Sequence, residues 1–74
     1  MTISRAQCKM ARAALDWRIV DLAERANIAV STIYRFESGQ RDPIPATLTV
    51  LRQTFEQAGV EFCAEDGVRL KSAH

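Results

Sequence analysis

Residues 21–39, DLAERANIAVSTIYRFESG, hold two short helical patterns with one turn signal between them. Asp21, Leu22, Ala23 and Ala26 belong to the first pattern. Asn27 then interrupts it, and after glycine Asn is the residue that most readily takes the left-handed conformation closing a helix. Ile28 supplies an apolar contact that sets the angle between the two helices. At about 100° per residue, Ala29, Ile33, Phe36 and Glu37 fall on one side of the second helix, and Ser31, Tyr34, Arg35 and Ser38 on the other. One face suits a core. The opposite face offers hydroxyls, a phenol and a guanidinium to an outside partner, which is what a helix needs to lie in a DNA major groove and touch base edges. Gly39 stands where a C-terminal cap is expected.

The flanking sequence supplies what these helices pack against. A first helix is predicted over about Arg5 to Leu15, with Ser4 as N-cap and an apolar stripe of Cys8, Ala11 and Leu15. Arg12 falls inside that stripe, and a guanidinium on a core face needs a partner. Glu37, at the edge of the core face of the later helix, gives the simplest closure, so Arg12 and Glu37 are expected to form a structural ion pair. The second helix runs from about Ile19 to Ala26, and the groove-facing helix from about Val30 to Ser38. A loop with two prolines, residues 39–45, leads to a fourth helix over about Ala46 to Ala58, where Leu48, Leu51, Phe55 and Ala58 share a face. The period then changes. Val60, Phe62 and Ala64 alternate with Glu61, Cys63 and Glu65, Glu65-Asp66-Gly67 has turn chemistry, and Val68 and Leu70 alternate with Arg69 and Lys71. That pattern predicts a small β-hairpin, which must pack on the helices or pair with a second copy because a lone hairpin is marginal.

Length and composition bound the remaining choices. Seventy-four residues at 47% hydrophobic content make one small globular domain over residues 1–74. No apolar run approaches the ~20 residues of a membrane span. The first residues lack the apolar core of a signal peptide, so the expected compartment is cytoplasmic. Cys8 and Cys63 share no metal-ligand spacing and are read as reduced core thiols. The net charge of +1 means that any attraction to nucleic acid rests on local clustering. Arg18, Arg35 and Arg41 are candidates for a shared surface, with Arg5 and Lys9 near it, set against Asp16, Asp21 and Asp42. Enzymatic readings fail: the one His is the last residue, and there is no phosphate loop, no carboxylate pair in a cleft, and no cofactor or metal motif.

The residues Asp21, Leu22, Ala23, Ala26, Ile28, Thr32, Ile33, Arg35, Glu37 and Gly39 together resemble the Cro/repressor-type helix-turn-helix family, also called xenobiotic-response-element-like regulators. Trp17, Pro43 and Leu48 fit the same pattern. The blocks Ala58 to Phe62 and Gly67 to Lys71 resemble a subgroup of small stand-alone regulators. The resemblance spans about residues 5–71. It implies a mainly α, four-helix, lambda-repressor-like fold with a C-terminal β-hairpin or strand. The helix-turn-helix would cover residues 19–38 and the β segment residues 60–71. Three positions depart from the family pattern. Asn27 replaces a Gly. Ala29 replaces the usual Ser, so the groove-facing helix lacks an N-cap side chain. Ile19 replaces a Gln that in relatives commonly meets a phosphate, which leaves Arg18 as the neighbouring candidate.

The function implied is sequence-specific binding of double-stranded DNA by a small transcriptional regulator of repressor type. Val30, Ser31, Tyr34 and Arg35 are the expected base contacts. An Arg can fork onto guanine O6 and N7, and Val30 can meet a thymine methyl. Tyr34 has the alternative of covering the groove rim by packing alone. Arg18, Thr32, Ser38, Gln40 and Arg41 are the expected sugar-phosphate contacts, which set register and not sequence. For Thr32 the alternative is filling the helix interface, and for Arg41 a salt bridge to Asp42. Trp17 is expected to plug the core between the first two helices. A homodimer on a near-palindrome is expected, paired through the edge of the Val60–Ala64 strand. The alternative function is a protein-interaction module, such as an antitoxin subunit that binds a partner protein and its own operator.

Overall fold

The computed structural model describes residues 3–63 and 67–71. Four helices lead into a two-stranded antiparallel hairpin: α1 Arg5–Leu15, α2 Ile19–Ala26, α3 Val30–Glu37, α4 Pro45–Gln57, β1 Val60–Cys63 and β2 Gly67–Leu70. The fold is the mainly α, four-helix arrangement with a C-terminal hairpin that the periodicity and the family resemblance both anticipate.

Local chemistry sets the helix ends. Ser4 Oγ accepts from the Gln7 N–H at 3.1 Å while Gln7 Oε1 accepts from the Ser4 N–H at 2.9 Å, a reciprocal cap on α1. Asp21 Oδ2 accepts from the Arg18 N–H at 2.9 Å and closes the start of α2. Asp16 and Asn27, at φ 58 in both cases, end α1 and α2 in the left-handed conformation. The cap at Asn27 is where the sequence puts it. α3 begins at Ala29 with no side-chain cap. α3 stops at Glu37 and Ser38 forms its cap, one residue short of the expected end. α4 starts at Pro45, a residue earlier than expected, because a proline at the first helical position gives up an N–H that has no helical acceptor anyway.

The core gathers Cys8 and Ala11 of α1, Leu22, Ala23 and Ala26 of α2, Ile33 and Phe36 of α3, Leu51 and Phe55 of α4, Val60 of β1 and Ile3 before α1. Phe55 is its centre, with Trp17 stacked on one side at 5.9 Å between ring centroids and Phe62 edge-on at 6.1 Å. Trp17, in the link between α1 and α2, packs partly buried against the core and reaches across to α4. Its other neighbour is the Arg25 guanidinium, 4.6 Å from the ring centroid.

Two further expectations change. Ala29 is exposed, because as the residue before α3 it precedes the turn that packs. Cys63 is also exposed, since alternation along β1 turns Val60 inward and leaves Cys63, at the strand's far end, outside; Cys8 is buried, and both thiols are free. The hairpin register pairs Val60 with Leu70, Glu61 with Arg69, Phe62 with Val68 and Cys63 with Gly67. Ala64, the Glu65-Asp66 turn and His74 lie outside the described residues. Among the described residues no helix is long and apolar enough to cross a membrane.

Candidate nucleic-acid interface

The orientation of α3 is set from below by one buried polar cluster. Glu37, the last residue of the helix, is 4% exposed. Its carboxylate accepts from Arg12 Nε at 2.7 Å and Nη2 at 2.6 Å, and the Cys8 Sγ lies 3.2 Å from Oε2. Arg12 Nη1 also donates to the Trp17 carbonyl at 3.0 Å. The hydrogen bond to Glu37 raises the Arg12 pKa further above its ordinary value. Burial first, and the Glu37 charge second, push the Cys8 thiol far up, so it stays protonated and unreactive. With Ile33 and Phe36 buried beside this cluster, α3 cannot rotate without breaking it.

The opposite side of α3 is solvent. Ser31, Arg35 and Ser38 are exposed, Tyr34 is 55% exposed and Val30 47%. Thr32 is half-buried at the flank. The chain after α3 folds back on the helix end: the Arg35 carbonyl accepts from the N–H groups of Gln40 at 2.9 Å and Arg41 at 3.3 Å, and Gly39 N–H bonds the Phe36 carbonyl at 3.1 Å. Gln40 and Arg41 are thereby held beside the exposed face instead of trailing away from it. Gly39 reaches this geometry at φ +81, a conformation costly for residues with a Cβ.

Thr32, Arg35, Arg41, Asp42, Pro43 and Ile44 line one open groove of about 240 Å³. Among the described residues neither Arg35 nor Arg41 has an ion-pair partner, and Asp42 lies in the groove without bridging to either. Two guanidiniums without a partner among the described residues, at the wall of a shallow groove, can take an anion, and the fork of Arg35 is exposed to a planar acceptor pair.

Two candidate backbone contacts are engaged within the chain. Arg18 donates to Asp21 through Nε at 3.2 Å and Nη2 at 3.1 Å. Its side-chain bonds, followed by its backbone N–H, hold the Asp21 carboxyl below the usual range. Ser38 Oγ donates to the Arg35 carbonyl at 3.2 Å. Ile19, in place of the family's Gln, packs against the core and offers no polar group. Sequence reasoning passed over Ile44. At 67% it is the most exposed large apolar residue among those described, held out between Pro43 and Pro45 on the groove wall. An apolar residue between two prolines, where neither helix nor strand can bury it, was the available signal.

The family model described as helix-turn-helix matches residues 9–56, which takes in most of α1, all of α2 and α3, and α4 as far as Glu56. No curated protein sequence matches the chain. A helix docked through Ile33, Phe36 and Glu37, presenting its polar face beside two arginines without an ion-pair partner among the described residues, in a chain matched over residues 9–56 by that family, leaves one assignment: the chain belongs to the Cro/repressor-type helix-turn-helix family of DNA-binding regulators.

Proposed function

We propose that the protein binds double-stranded DNA sequence-specifically as a cytoplasmic transcriptional repressor, with α3 in the major groove. Arg35 forks onto a guanine, Ser31 and Tyr34 meet neighbouring base edges, and Val30 meets a thymine methyl. Thr32, Gln40 and Arg41 hold the sugar-phosphate backbone. Arg18 joins them by exchanging Asp21 for a phosphate, an exposed ion pair that costs little to open. Ser38 joins by rotating its hydroxyl away from the Arg35 carbonyl. The observation that carries this reading is the pairing of a fully packed inner face on α3 with an outer face whose cations have no partner among the described residues.

The whole chain acts as one domain and as a two-fold dimer, because one α3 spans too few bases for high specificity. Lys71 N–H bonds the Gly59 carbonyl at 2.7 Å, so in this register the backbone groups of Val60 and Phe62 point away from β2. That outer edge of β1 is the pairing surface proposed, and the half-sites then lie ~34–36 Å apart or at multiples of that.

The test is binding to random duplex DNA across a salt series, with Arg41→Ala alongside the wild type. Steep salt dependence that Arg41→Ala reduces by about 0.9 per bound chain supports the reading. Binding that ignores salt overturns it. The result would favour the protein-interaction alternative, which the net charge of +1 and the apolar Ile44 on the groove wall make the next choice.

A further inference from the structure

We propose that Arg5, at the start of α1, is an additional phosphate contact of the DNA-bound protein, its guanidinium lying in the space left by the absence of a side chain at Gly39. This rests on the DNA-binding reading above but not on the family assignment, since the family match begins at residue 9.

The guanidinium of Arg5 lies over the backbone of Gly39. A Cβ built on that glycine would sit 3.0 Å from Arg5 Cζ and 3.7 Å from Nε, and would collide with Nη1. Gly39 therefore serves two ends at once. It turns the chain at φ +81, and it leaves the space in which the guanidinium of Arg5, from the start of the sequence, lies.

What Arg5 does there is not explained by its contacts inside the protein. Two of the carbonyls at the end of α3 already have donors. The Arg35 carbonyl accepts from Gln40 N–H, Arg41 N–H and Ser38 Oγ, and the Phe36 carbonyl from Gly39 N–H. Among the described residues Arg5 has no hydrogen bond and no ion pair. It is exposed, and its N–H donors are all unspent. The residues that follow its seat are Gln40 and Arg41, which the folded-back loop holds at the edge of the α3 surface. An exposed guanidinium with no partner among the described residues, lying beside that loop, fits a phosphate oxygen, which accepts from its planar fork.

The geometry also separates Arg5 from Arg35. Arg35 is on the helix face and reads bases. Arg5 belongs to α1 and lies over the loop at Gly39, and its contact is to the backbone alone, which adds affinity without sequence preference.

The experiment measures binding of the wild type, Arg5→Gln and Lys9→Gln to a duplex of random sequence and to a selected specific site, over a salt series. Lys9 is an exposed cation four residues further along the same helix. Arg5→Gln is expected to lower the slope of log K against log salt by about 0.9 per bound chain, and to weaken both duplexes alike by roughly five- to tenfold at 0.1 M salt. Lys9→Gln is expected to leave the slope unchanged. If Arg5→Gln lowers the melting temperature while the salt slope stays at the wild-type value, Arg5 only balances the dipole at the end of α3 and the proposal fails. If Lys9→Gln flattens the slope as much as Arg5→Gln, the effect is diffuse charge and the seat on Gly39 is irrelevant. A wild type without any salt dependence removes the DNA-binding reading itself, and this inference with it.

Discussion

The Arg12 guanidinium grips both oxygens of the Glu37 carboxylate, at 2.7 and 2.6 Å, and so ties the middle of α1 to the last residue of α3. The two ends of this pair are unequal. Glu37 is buried, while Arg12 reaches the rim of the core. Removing Arg12 strands a carboxylate with no route to water, whereas neutralising Glu37 leaves a guanidinium that can still donate to an amide oxygen. Arg12→Met is therefore expected to cost ~3–5 kcal/mol and Glu37→Gln ~1–3 kcal/mol in denaturant unfolding. Equal costs would mean that the pair is solvated, and not a buried link between helices.

α3 starts without a capping side chain, since Ala29 has extended backbone angles (φ −62, ψ 140) and no oxygen to offer. It is also exposed, so a polar replacement displaces nothing. Ala29→Ser is expected to raise stability by ~0.5–2 kcal/mol through a bond to an unpaired N–H of the first turn. A shift of the urea midpoint checks it, and a neutral or lower midpoint contradicts it.

Gln7 has two separate tasks. Its Oε1 completes the cap at Ser4, and its Nε2 donates to the carbonyls of Cys63 at 3.3 Å and Gly67 at 3.2 Å, which clasps the hairpin to α1. Ser4→Ala and Gln7→Ala should therefore differ under hydrogen exchange. Ser4→Ala should loosen the first turn of α1 alone, at a cost of ~0.5–2 kcal/mol. Gln7→Ala should also speed exchange across β1 and β2. Identical exchange patterns would deny Gln7 its second role.

Asp21 carries a pH dependence of definite sign. The Arg18 side chain, then the Arg18 N–H, holds its folded pKa below the ordinary carboxylate value. A lowered folded pKa gives stability that is complete above the unfolded value of about 3.9 and disappears as pH falls through the folded one. The stability gap between wild type and Asp21→Asn should thus stay constant near neutral pH and close in acid. A gap that persists unchanged at low pH would show that the charge of Asp21 is not what matters.

Arg35 and Arg41 should separate in a specificity measurement. Arg35→Ala is expected to lose ~1–3 kcal/mol of discrimination at one base position, with the preference at that position relaxed. Arg41→Ala should weaken all sequences alike. Sites selected from random DNA by the wild type and by each variant would reveal the difference, and an unchanged preference in Arg35→Ala would remove it from base readout.

Much of this molecule is local and was readable along the chain. The bounds of α1 and α2, the cap at Ser4, the left-handed close at Asn27 and the change of period into β1 all follow from spacing and from the conformational preferences of single residues. The polar outer face of α3 follows in the same way, because helical periodicity assigns sides without reference to any neighbour. Arg12 among apolar residues already demanded an acid, and Glu37 was the one at the edge of a core face.

What the periodicity could not carry was which distant groups meet. Gln7 lies 56 and 60 residues from the carbonyls it clasps, and nothing in the SRAQ segment distinguishes that use of its amide from solvent. The exposure of Cys63 and Ala29, the stacking of Trp17 on Phe55, the projection of Ile44 beside Arg35 and Arg41, and the seating of Arg5 on Gly39 are of the same kind. A chain's pattern states which side of each element is apolar. The angles and offsets at which those sides pack are set jointly by all the elements, and they alone decide which side chains come within a bond length of one another.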